Sequence, residues 1–109
     1  VTVEAHTAAD TLLASETGTC HTNTGASGTI AITLPAAVVG LHFYFAIGAA
    51  QILQIEPASG ETISLPSSGV PESANDYIAA DAVGETVHLM CCKAANWNVM
   101  GYTGTWSGQ

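Results

Sequence analysis

The chain has 109 residues, one domain's worth, and only 9% of them are charged against a usual figure of about a quarter. A single basic residue, Lys93, stands against nine acids for a net charge of -8, which excludes a binder of the nucleic-acid backbone and argues against docking on anionic lipid. The residues AVILMFWYC make up 48% and mean hydropathy is +0.33, which with the low charge argues against disorder.

Near the start, Ala8–Glu16 is the one segment where a short helix is expected, although its Thr and Ser residues weaken it. Gly25-Ala26-Ser27-Gly28 is a turn, and Thr29–Leu34 then alternates cleanly, with Ile30, Ile32 and Leu34 on one face. Pro35 stops ladder pairing. Leu41–Ile47 reads as the next strand. Gln51–Glu56 follows as a central strand, apolar on both faces. Pro57-Ala58-Ser59-Gly60 is expected to close a hairpin into Glu61–Leu65. Pro66–Ala74 is the longest loop, and Tyr77–Ala80 a short strand after it. Glu85–Lys93 is the strongest strand: Val87, Leu89 and Cys91 share one face, and Thr86, His88, Met90 and Cys92 the other. Ala94-Ala95-Asn96 turns the chain back into Trp97–Tyr102, and Gly104 leads to Thr105-Trp106.

This pattern predicts an all-β fold, a single β-sandwich or a jelly-roll-like or barrel domain over residues 1–109, with about seven to nine short strands. The expected core is Ile30, Ile32, Phe43, Phe45, Leu53, Ile55, Leu89 and Val99. No repeat of solenoid type and no linker divides the chain. Leu34–Ile55 carries no charged residue and is long enough to span a bilayer. Pro35, Gly40 and Gly48 break it as a helix, His42, Gln51 and Gln54 interrupt its apolarity, and no membrane span is expected.

Cys20, Cys91 and Cys92 are odd in number and two are adjacent, unlike a disulfide framework; free thiols and folding in a reducing cytosol are expected. No signal segment opens the chain, and Val1 is what removal of an initiator Met would leave, so a nearly whole gene product is expected. His6, His21, His42 and His88 invite a metal hypothesis, but no Cys-x-x-Cys or His-x-x-x-His spacing supports it, and neither metal nor cofactor is expected. No Gly-x-Ser-x-Gly elbow or phosphate loop is present, and His88 and Cys91 fall on opposite faces of one strand. Glu72, Asp76, Asp81 and Glu85 read as solvated loop acids rather than a sugar-hydrolysing pair. No catalytic residue is expected. Trp97 reads as a core residue of the last hairpin, and Trp106 and Tyr102 as candidate interface residues.

Four blocks carry a resemblance. They are Glu16–Thr19 with His21–Ala26; Thr33–Ala37 and Gly40 with Phe43-Tyr44-Phe45; Ile55–Ile63; and Val87-His88-Leu89 with Trp97–Tyr102 and Gly104-Thr105-Trp106. Together the chain resembles small virion structural proteins of tailed bacteriophages, through turn and strand residues rather than a catalytic signature. The resemblance implies a capsid decoration (cement) protein made in the host cytoplasm. It would bind the outer surface of the head as a homo-oligomer, expected to be a homotrimer, with itself and the major capsid protein as partners. Similar blocks occur in tail and fibre components, which is the alternative location. A carbohydrate-binding β-sandwich for host attachment is the alternative from another class.

Overall fold

The computed structural model describes all 109 residues and is an all-β sandwich of two sheets. Its strands are β1 (Val3–Ala5), β2 (Asp10–Thr11), β3 (Cys20–Thr22), β4 (Ile30–Thr33), β5 (His42–Ala46) and β6 (Leu53–Glu56), then β7 (Thr62–Ile63), β8 (Ile78–Ala80), β9 (Thr86–Lys93), β10 (Asn96–Thr103) and β11 (Ser107–Gly108). The first sheet has the order β1-β3-β5-β9-β10-β7, the second β11-β8-β6-β4-β2. Three of these strands are only two residues long, too short to leave any alternation in the sequence, which is why more strands form than the pattern predicts.

The first half of the chain is wound, not folded into hairpins. Strands β1, β3 and β5 lie side by side and parallel in the first sheet, while β2, β4 and β6 do the same in the second. The chain therefore circles the core three times and leaves one strand in each sheet on every pass. Parallel neighbours need a crossover, and here the crossover is the strand of the opposite sheet. The second half closes the structure by antiparallel pairing: β9 joins β5, β10 returns along β9 as a hairpin, and β8 and β11 extend the second sheet.

Three expectations are corrected. Residues Ala8–Glu16 form no regular helix; β2 takes Asp10–Thr11 and a single 3-10 turn takes Ala14–Glu16, where Glu16 Oε1 accepts from the Leu13 amide at 2.8 Å. Pro57–Gly60 does not close a hairpin, because β6 belongs to the second sheet and β7 to the first; the turn passes the chain between sheets. Strand β6 is central but buries one face only: Leu53 and Ile55 are fully buried, and Gln54 and Glu56 are half-buried. The solenoid-like winding also escapes a repeat search, because successive passes share inward apolar residues and no common motif.

Ile30, Ile32, Phe43, Phe45, Leu53, Ile55 and Leu89 are all buried in one continuous core with Trp97, Ile63, Ile78 and Val87. Val99 packs against that core partly exposed. No helix is long and apolar enough to cross a membrane.

Candidate functional site

The windings end in an open edge. Across the first sheet, one inward row reads Glu4, His21, Phe45, Val87 in register; across the second, the matching row reads Asp10, Ile32, Ile55, Ile78. Each row is apolar in the middle of the sandwich and turns polar toward its outer end, over the first two windings in the first sheet and at the first in the second. His6 sits in the bend between β1 and β2 and links the two rows. Its Nε2 lies 2.8 Å from His21 Nδ1 and 3.5 Å from Glu4 Oε1, and its Nδ1 lies 3.6 Å from Asp10 Oδ2. His21 Nδ1 is in turn 3.6 Å from Glu4 Oε1. The two imidazole side chains are 5% and 1% exposed, whereas the two carboxylates are about half exposed, so the rings are held inside and the acids face the mouth.

The neighbours of His21 fix its tautomer. Thr19 donates its only hydroxyl hydrogen to the Glu16 carbonyl at 2.6 Å, so toward His21 Nε2, 2.7 Å away, it can only accept. Nε2 therefore carries the hydrogen and Nδ1 presents a lone pair to His6. Burial lowers the pKa of His21, His6 lowers it further, and Glu16, Glu4 and Asp10 oppose the shift.

The outer face of the first sheet is a second distinct surface. One register row runs Val3, Cys20, Tyr44, His88, Gly101, and the next runs Ala5, Thr22, Ala46, Thr86, Thr103. Tyr44 stacks on His88 with ring centroids 4.0 Å apart and planes at 12°. His42 Nδ1 lies 2.9 Å from His88 Nε2, and burial followed by the neighbouring His42 lowers the His88 pKa. Neither row holds an Asp, Glu, Lys or Arg. Gly101, lacking a side chain beside His88, leaves a shallow depression edged by Val1, Val3 and Tyr44. Val1, Val3, Met100 and Tyr102 are exposed large apolar residues on this sheet or its margin.

Trp106, expected at an interface, is corrected: it is 2% exposed and belongs to the core. Strand β11 carries the end of the chain back onto β8, and the indole Nε1 donates to the Thr86 and Thr103 carbonyls at 3.0 and 3.3 Å. Its side chain is spent on the fold. Tyr102 remains 45% exposed, and Trp97 is fully buried. The four acids lie in two neighbourhoods, Glu72 near Asp76 and Glu85 at the Asp81 amide. Glu85 caps two loops, accepting from the Thr105, Ala82 and Asp81 amides, and these bonds, the one from Thr105 foremost, lower its pKa. Glu72 is raised by burial and by Asp76. Cys91 is buried and inward, His88 outward, and all three thiols are free.

Spacing along the chain hides both histidine pairs. Each is assembled by pairing between strands or by a bend, His42 with His88 through β5 and β9, and His6 with His21 beside the β1–β3 register. The one sequence signal is that His21 interrupts an otherwise apolar inward set. No protein-family model matches the chain, and no curated protein matches it.

Proposed function

We propose that the chain is a structural protein of a tailed-phage particle, a capsid decoration protein that binds the outside of the head as a homo-oligomer, expected to be a trimer. The observation that carries this reading is the outer face of the first sheet, whose central rows hold no Asp, Glu, Lys or Arg across five strands. A face without charge on a chain with a net charge of -8 suits association by apolar packing and backbone hydrogen bonds. The body measures 33 × 28 × 22 Å, wide enough on its broad side for the roughly 800 Å² that each partner gives to a standard interface. The likeness of the sequence blocks to virion proteins supplies the location.

On this reading the protein works through binding free energy alone. Each copy bridges neighbouring capsid subunits, and once one protomer is bound the effective concentration of the next rises, so the assembly resists expansion or bursting. Imaging of the purified particle tests the location: density for this chain is expected over the outer surface of the head, and heads stripped of it should break more readily on heating. Density confined to the tail or fibres, with stripped heads of unchanged thermal stability, would overturn the head assignment in favour of the tail or fibre alternative.

A further inference from the structure

We propose that Glu4, His6 and His21 form a site for one divalent transition-metal ion of the zinc class at the open end of the sandwich. The site rests on the fold alone and not on the virion reading.

The three candidate ligand atoms, Glu4 Oε1, His6 Nε2 and His21 Nδ1, stand 3.5, 3.6 and 2.8 Å from one another. A point about 2.0–2.1 Å from all three lies just outside their plane, and this is the length of zinc bonds to imidazole nitrogen and carboxylate oxygen. In a tetrahedral set at that bond length neighbouring ligands are about 3.3 Å apart. The two carboxylate distances already match within a few tenths of an ångström, and the nitrogens need to part by only about half an ångström.

The other ring nitrogens are set up for ligation too. A histidine that binds a metal characteristically donates its remaining N–H to a carboxylate, carbonyl or other acceptor, which fixes the ring and its tautomer. Thr19 already holds His21 with hydrogen on Nε2 and the Nδ1 lone pair turned to the centre. On His6 the far nitrogen, Nδ1, faces Asp10 Oδ2 at 3.6 Å. With neutral rings and no ion, His6 must put its hydrogen on Nε2 to reach His21, which leaves the Nδ1 lone pair against a carboxylate. An ion at the centre reverses this: both inner nitrogens become ligands, and His6 Nδ1–H points at Asp10. One ion thus removes the conflict while both rings stay neutral.

His21 occupies an inward position that Phe45 and Val87 fill in the neighbouring strands, and both imidazoles give up hydration to be there. Glu4, half exposed, marks the solvent side, where a water completes four-coordination. The bound ion would join β1, the following bend and β3, clasping the first winding to the second. Because these ligands come together only in the folded chain, the ion stabilises the fold.

The test uses the full chain stripped with chelator and titrated with zinc in a calorimeter, with cobalt(II) as a spectroscopic probe. One-to-one binding, a rise in melting temperature with zinc and the intense visible bands of four-coordinate cobalt are expected. Glu4→Gln, at an exposed position that does not endanger folding, should weaken zinc binding by about tenfold or more, and His21→Gln should abolish it. The doubly substituted His42→Asn, His88→Asn chain should bind zinc like the parent, since that histidine pair has no third ligand gathered beside it. Absence of saturable one-to-one binding in the parent would overturn the site. Binding that survives Glu4→Gln unchanged, or is lost with His42 and His88, would overturn it as well.

Discussion

Replacing Ile32 or Leu89 by Ala should each destabilise the protein by about 2–5 kcal/mol, a loss of roughly 10 °C or more in melting temperature for a domain of this size. Both side chains are 0% exposed. Ile32 stands in the middle of the second sheet, between Asp10 on β2 and Ile55 on β6, and Leu89 holds the same central place in the first, between Phe43 and Val99. Truncation removes transfer free energy and leaves a cavity that paired strands on either side cannot close. An unchanged melting temperature in both variants would mean that the inward faces are misassigned.

An effect of similar size is expected from a polar residue. Asn23 is fully buried just after β3, and all four hydrogen-bonding positions of its side chain are used. Its Nδ2 donates to the Ala49 and Gln51 carbonyls at 3.2 and 3.0 Å, and its Oδ1 accepts from the Gly48 and Ala49 amides at 2.9 and 3.0 Å. One side chain thus pins the connection between β5 and β6 to the end of β3. The approach is so close that a Cβ on Gly48 would run into the Thr24 side chain. Asn23→Ala leaves the Gly48 and Ala49 amides and the Gln51 carbonyl without partners, while the Ala49 carbonyl keeps the Gln51 amide at 2.7 Å, and at about 1–3 kcal/mol for each unsatisfied buried group the loss should reach about 3 kcal/mol even after water returns to some of them. Asn23→Asp keeps the shape but turns a carboxylate oxygen toward two carbonyls, so it should be at least as damaging. Urea denaturation of the two variants checks this; an Asp variant as stable as the parent would show that packing, not the hydrogen bonds, holds the segment.

The all-β class and most of the core were legible because alternation is a local property. Thr29–Leu34 and Glu85–Lys93 place their inward residues without reference to any partner strand. The winding was not legible, since whether β4 pairs with β6 in parallel or folds back in a hairpin depends on chain that lies far away in sequence. Pro57–Gly60 shows the difference: its residues suit a tight hairpin turn, yet the same turn serves to carry the chain between sheets. Trp106 misled for a related reason. A residue near the chain end has a strong expectation of exposure, and only the β8–β11 pairing brings the indole between the sheets. The histidine pairs depend on strand register and on the bend after β1, and ligands contributed by separate elements leave no motif along any one strand.

The central claim, that the uncharged face of the first sheet is an interface between copies of the chain, is tested most directly by sedimentation at micromolar concentration in low and high salt. Apolar association resists the screening that dissolves charge-driven contacts. A species of about three times the 11.1 kDa protomer is expected in both conditions, reduced to the protomer by Tyr44→Glu without loss of the β-sheet signal. A protomer of 11.1 kDa in both salts, or an assembly that Tyr44→Glu leaves intact, would contradict it.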